Sequence, residues 1–298
     1  MTKRITRRNL KNGVIAFIDL LGFSARVEAI STEDELRALD DAVSFVQAEF
    51  GHKTRDELTR DSNKVIHKTV LAFSDCLVIS VPVRSPLADH QGSFDVLMSE
   101  LNSFALAQGT CVLRGMFLRG GVDIGAWYRR QDALISPAMI RAYRLEHDAC
   151  VPMIAITPDL WTYLANHPHR RFYSDELDPI PRTFSQQNKL PNGSTQRFLN
   201  YVRICLETVE GRLIGDERAR YEAADADERD RMRSETWNRA CRDWARDHAQ
   251  AIIKAHTGAE NADVRQKYRW LARYHNKEIR RFFRREAQPL VVHLDRGN

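Results

Sequence analysis

Residues 14–24, VIAFIDLLGFS, and residues 70–80, VLAFSDCLVIS, decide how this chain is read. Each sets one aspartate within or at the end of a short apolar run that reads as a buried strand. A carboxylate in such a setting is costly to desolvate unless a partner compensates it, and a divalent cation is the commonest partner. The first run breaks at Gly22 and continues through Phe23 and Ser24 toward helical periodicity. A strand–Asp–Gly turn–helix unit plus a second strand aspartate is a common way to build a two-metal site for nucleoside triphosphates. Asp19 and Asp75 are therefore the lead candidates for metal binding.

Working outward, residues 14–18 form the first strand. Ser31, with Asp34 three residues on, predicts a helix start, and Leu36, Leu39, Val43, Val46 and Phe50 give that helix one apolar face. Residues 51–63 read as a polar loop. Residues 65–73 and 76–81 then predict two strands joined by a hairpin at Ser74-Asp75, with Thr69, Leu71, Phe73 and Asp75 on one side. Phe94, Leu97, Met98, Leu101, Phe104 and Ala105 mark a second amphipathic helix. Residues 116–127 are a strand carrying Arg119 and Gly120, Gly121 and Gly125; glycines there suggest a bulge or a close backbone approach. Ser136-Pro137 opens a third helix through Glu146, residues 151–156 form a strand, and Thr157-Pro158 starts a short helix. This β-α-β-β-α-β-α-β order predicts an α+β fold, a ferredoxin-like, largely antiparallel sheet backed by helices. Residues 165–195, with Pro179, Pro181, Pro191 and Gly193, read as a long loop, and from about residue 215 the chain is helical and strongly charged, with a break near Gly258. The expected division is a domain over 1–205 and a helical, basic C-terminal extension over 206–298.

Composition agrees with a soluble globular protein: 298 residues, 43% hydrophobic and 29% charged. The apolar runs fall far short of the roughly 20 residues needed to span a bilayer, and no apolar segment follows the basic N-terminus as in a signal peptide. The five cysteines are scattered without metal-ligand spacing, so a cytoplasmic location with reduced thiols is expected. Net charge is only +5, and nine Lys/Arg against three acids cluster in residues 262–286. Apolar residues keep helical spacing there, so a solvated helical face is favoured over a nucleic-acid surface. Tyr268, Trp270 and Tyr274 are read as helix packing positions in the same way.

Four segments together resemble a known family. FIDLLGFS and FSDCLVIS resemble the two metal-aspartate motifs of the class III nucleotide cyclases; FLRGGVDIG (117–125) resembles their arginine–glycine strand, and AYRLE (142–146) the helix segment ending in a catalytic arginine. The resemblance covers roughly residues 12–160. It implies that Asp19 and Asp75 bind two divalent ions, with the Leu20 carbonyl as a further ligand. It also implies that the backbone of Leu21, Gly22, Phe23 and Ser24 cradles phosphates, and that Arg144 stabilises transition-state charge across a homodimer interface. Arg119 is a candidate phosphate or base contact.

The departures point to the substrate. Leu71 stands where purine cyclases of this family place a base-reading lysine, Ala133 (beside Asp132) where adenylate cyclases place an aspartate, and Ile140 where the family has an asparagine. The helix segment 136–156 and RQKYRWLARYHN (265–276) look like the pyrimidine cyclases of bacterial anti-phage systems. That resemblance implies UTP, or else CTP, as substrate, manganese (alternatively magnesium) as cofactor, a soluble homodimer with active sites at the interface, and a separate cyclic-nucleotide effector. The alternative is a catalytically inactive cyclase-like module that binds a nucleotide or dimerises.

Overall fold

The computed structural model describes residues 10–130, 133–172 and 184–294. Its first half is β1 (Leu10–Leu20), α1 (Phe23–Glu28), α2 (Glu33–Glu49), α3 (Glu57–Val65), β2 (Thr69–Phe73), β3 (Cys76–Pro82), α4 (Pro86–Gln91) and α5 (Ser93–Leu113). The chain continues through β4 (Leu118–Arg130), β5 (Ala133–Ile135), α6 (Pro137–Ala149), β6 (Ile154–Ile156), α7 (Pro158–Ala165), β7 (Ser185–Lys189) and β8 (Thr195–Leu199). Four further helices close it: α8 (Tyr201–Thr208), α9 (Glu217–Ala223), α10 (Ala226–Thr257) and α11 (Ala262–Phe283), followed by a 3₁₀ segment, Arg284–Leu290.

The sheet runs β2-β3-β1-β4-β6-β8-β7, with β5 beside β4. Its first four strands pair antiparallel in the order β4-β1-β3-β2, and only β4–β6 is parallel. This is the expected helix-backed α+β fold with a C-terminal helical stretch.

Alternation along β1 assigns its two faces. Val14, Ala16, Ile18 and Leu20 enter the main core with Phe94, Leu97 and Leu101 of α5. Ile15 packs instead with Trp127 and with Ala138 of α6, and Phe17 meets the Tyr143 ring edge-on at 5.2 Å. Asp19 therefore lies on the α6 side. Buried residues of α8, α10 and α11, among them Val202, Ala245 and Leu271, join the same core as β1 and α5.

Several local expectations change. The cap of α2 is Thr32, which forms a capping box with Glu35; Ser31 instead donates both its amide and its hydroxyl to Glu35. Residues 51–63 are not all loop, because Asp56 caps α3, and that helix takes in Val65, which the sequence had assigned to a strand. Within 165–195, β7 forms by pairing with β8; its SQQNK sequence carries no apolar pattern, so only the partner strand makes it a strand. Pro179, Pro181 and Asp132 lie outside the described residues.

A buried polar chain ties the C-terminal helices together. Tyr201 Oη lies 2.9 Å from His248 Nε2, His248 Nδ1 lies 2.9 Å from His275 Nδ1, and His275 Nε2 lies 2.9 Å from the Leu290 carbonyl. A carbonyl only accepts, so His275 donates from Nε2, accepts at Nδ1 from His248, and His248 accepts from the tyrosine hydroxyl. That pattern requires both imidazoles neutral. Burial holds His275 down at about 4 and His248 well below its usual value, with each ring's charge opposing the other at His248. An unfolded histidine titrates near 6.5, so between about pH 6.5 and 4 the unfolded state binds more protons and stability falls with pH. A shift from 6.5 to about 4 is worth about 3 kcal/mol at the acid end. Thermal melts should show the midpoint dropping below about pH 6.5, with a shallower drop in His275→Gln.

Candidate active site

The strand register builds the site. β1 pairs with β3 at Ile18–Leu77, which brings Asp19 beside Cys76, and pairs with β4 at Asp19–Arg119. Asp75 occupies the β2–β3 hairpin, which turns through Ser74 at φ 54°. Oxygens of Asp19 and Asp75 and the Cys76 sulfur all lie within 4.8 Å of one another, the one such cluster among the described residues. Asp19 is 9% exposed.

Arg119 reaches Asp19 Oδ2 through both Nε (3.0 Å) and Nη2 (2.9 Å), and its Nε also pairs with Glu146. Glu146, on α6, is 2% exposed. Burial pushes its carboxyl above the ordinary range, opposed by the Arg119 charge. Asp75 is also raised, first by burial and then by the hydrogen bond and charge of Asp19. Two carboxylates, Asp19 and Glu146, thus share one arginine, with Asp75 set against Asp19 as a third. A divalent cation between Asp19 and Asp75 would relieve that excess, so these residues fit the metal the sequence called for. Cys76 is pushed up to about 12, by burial first and then by Asp19 and Asp75. It stays a thiol and donates to Asp19 Oδ1 across 3.5 Å.

A second buried carboxylate pins α6. Asp123, fully buried opposite Ile15 in the register, accepts from Arg141 Nε (2.6 Å) and from the Thr157 hydroxyl (2.5 Å). Beside it, a Cβ on Gly121 would lie 2.0 Å from the Ala142 carbonyl oxygen, so α6 lies directly on the backbone of β4. With α6 fixed this way, Glu146 points in at Arg119. Arg144 is two residues earlier, about 200° around the helix, and is exposed with no ion pair among the described residues. Ile140 (48% exposed) and Tyr143 (49%) are exposed beside it.

Leu71 is half-buried and pairs with Val78, whose side chain packs with the Ile15 cluster, so it shares the face that carries Asp19. Gly22 adopts a left-handed φ of 81° and starts α1, and no side chain caps that helix. The Leu21 amide donates to the Phe117 carbonyl at 2.8 Å, so of the four expected phosphate-cradling residues Leu21 already has its amide engaged. Leu20 is buried at the end of β1. Sequence reasoning missed Cys76, Glu146, Asp123 and Arg141. Cys76 was findable as the neighbour of Asp75, whereas the other three become visible only through register and helix packing.

No protein-family model matches the chain, and no curated protein matches it. Solved structures do. The adenylyl cyclase CyaB from P. aeruginosa shares 15% identity at a TM-score of 0.42, over 64% of this chain and 93% of that one. The guanylyl cyclase domain of the RhoGC fusion protein from the aquatic fungus Blastocladiella emersonii shares 11% at 0.40, over 64% and 95%. The guanylate cyclase domain of RhGC from Catenaria anguillulae, in complex with GTP, shares 16% at 0.33, over 63% and 94%. The chemistry of the present site rests on its own geometry.

Proposed function

We propose that this chain is a metal-dependent nucleotide cyclase that converts a pyrimidine nucleoside triphosphate, UTP before CTP, to the 3′,5′-cyclic nucleotide and diphosphate. The observation that carries the reading is the meeting of Asp19 and Asp75, 56 positions apart in sequence, with too little positive charge between them. Asp19, Asp75 and the Leu20 carbonyl would hold the metal, manganese or alternatively magnesium, in two sites. A cation bound there polarises phosphoryl oxygens and eases ionisation of an attacking hydroxyl.

The chain's own residues supply the rest. The Gly22–Ser24 backbone receives phosphate oxygens at the start of α1. Glu146 restrains Arg119 beside Asp19, where its guanidinium faces the same phosphates. Arg144 points away from its own Asp19, so it serves the site of a second copy, where it offsets charge developing on the transferring phosphoryl group. The exposed apolar surface at Phe73 (84%), Ile135 (63%), Ile140 and Tyr143 supports such a homodimer. Leu71 offers the base an apolar contact in place of the cation that purine readers use. The role in anti-phage signalling, with a separate effector for the cyclic product, is carried by the sequence resemblance alone. Among the described residues no helix is long and apolar enough to cross a membrane.

The second reading, an inactive nucleotide-binding module, is favoured by one observation: Arg119 already neutralises Asp19. Incubation with each of the four NTPs and Mn²⁺, with products resolved chromatographically, separates the two. Cyclic UMP or cyclic CMP is expected; no cyclic product from any NTP overturns the enzyme reading, and cyclic AMP or GMP as main product overturns the pyrimidine assignment. Co-expressed Asp75→Ala and Arg144→Ala chains, each inactive alone, should recover roughly a quarter of wild-type activity, because half the dimers regain one intact site.

A further inference from the structure

Where α10 and α11 meet the sheet domain, a cavity of about 840 Å³ opens, within the size range of small-molecule sites. The two parts of the chain build it jointly. The turn after β1 (Leu21, Gly22) and α1 form one wall, the α5–β4 connection a second, and α10 and α11 the third. The cavity lining holds none of Asp19, Asp75 and Cys76, although it shares Gly22 with the proposed phosphate cradle and its Leu21 wall begins two residues beyond Asp19.

The lining is selective in charge. Arg26, Arg114 and Lys254 face one carboxylate, Asp247. None of the three cations makes an ion pair among the described residues. The Arg26 guanidinium donates to the Gly115 carbonyl at 3.2 Å, and that of Arg114 lies 4.1 Å over the Phe45 ring. Arg26 and Lys254 line the hollow without an ion pair, the charge of Arg114 is shared with Glu49 outside it, and together they outnumber Asp247 and favour an anion.

Tyr268 adds an independent observation. It lines the cavity at 8% exposure, yet its hydroxyl has no hydrogen-bond partner among the described residues. The hydroxyl is not sealed off but opens to the cavity, where a ligand atom could take the place of water as its partner. Its ring stands edge-on to Phe117 at 4.9 Å, an aromatic corner suited to a flat ligand ring. Gln250 and Asp247 offer amide and carboxylate groups to ring nitrogens or hydroxyls, while small residues such as Ala251 and Ala255 leave width between the helices.

We propose that this cavity binds a nucleoside phosphate, its phosphate among Arg26, Arg114 and Lys254 and its ring against Tyr268. An acyl chain is disfavoured because polar side chains interrupt every wall. The binding does not depend on the cyclase reading.

Isothermal titration of the full-length protein in EDTA, using 5′-AMP and 5′-UMP with inorganic phosphate in parallel, tests this. At least one nucleotide should bind saturably and more tightly than phosphate. Lys254→Glu and Arg26→Glu, checked by thermal melting for intact folding, should each weaken it ~10-fold. Asp19→Asn should change it by no more than about twofold. Absence of saturable binding, binding untouched by both charge reversals, loss in Asp19→Asn, or phosphate binding as tightly as the nucleotides would each overturn the proposal.

Discussion

Asp75→Ala is expected to lower cyclase turnover by ~10³-fold or more while leaving the metal-free fold intact, because it removes one of two carboxylates that hold the cation. The stability arm has a definite sign. Asp75 titrates above its ordinary range in the fold, raised by burial and by Asp19. At neutral pH its ionised form is therefore less comfortable folded than unfolded. Removing it should leave the melting temperature in EDTA unchanged or higher. A metal that binds only the folded state at 100 times its Kd adds about 2.7 kcal/mol, so Mn²⁺ should raise the wild-type melting temperature and leave that of the variant where it was. Retained turnover, or a Mn²⁺ shift of wild-type size in the variant, would remove Asp75 from the metal site.

The second large effect is structural and reaches the site through α6. Gly121→Ala places a methyl 2.0 Å from the Ala142 carbonyl oxygen, and the nearest atoms are all backbone. No rotamer change relieves a clash with backbone, so α6 must lift from β4, at a cost of about 3 kcal/mol. The same movement withdraws Glu146 from Arg119 and displaces Arg144, so activity should fall even under conditions where the variant remains folded. Gly125→Ala is the control. There the new methyl meets the Ala138 Cβ at 3.0 Å, a contact that a few tenths of an ångström relieve. Denaturant midpoints and turnover of the two variants check this; equal stability of both would mean α6 does not lie against Gly121 as described.

Much of the fold was legible because its signals are local. The β-branched run before Asp19, the Ser74-Asp75 turn and the Ser136-Pro137 helix start each state their own conformation. Glycines in the strand 116–127 announced a close approach, although not which of them met what; Gly121 proves to be where the helix backbone touches. Thr32 took the cap from Ser31 because its hydroxyl accepts from the Glu35 amide while Ser31 only donates to the Glu35 carboxylate, a choice between adjacent hydroxyls that spacing alone leaves open. The strand at 185–189 was hidden because its side chains are polar and its hydrogen-bond partner, 195–199, supplies what propensity does not.

The candidate site divides in the same way. By itself the sequence determined that two carboxylates sit at strand ends, since residue identity and period-two alternation are properties of short segments; that Leu71 replaces a base-reading cation is implied by the family resemblance alone. Tertiary structure decided that Asp19 and Glu146 share the Arg119 guanidinium, that Arg144 faces away from Asp19, and that the C-terminal helices enclose a cationic hollow beside Leu21. Those relations join residues up to about 250 positions apart. They exist only once strand register and helix packing have brought distant side chains within the few ångströms over which hydrogen bonds and ion pairs act.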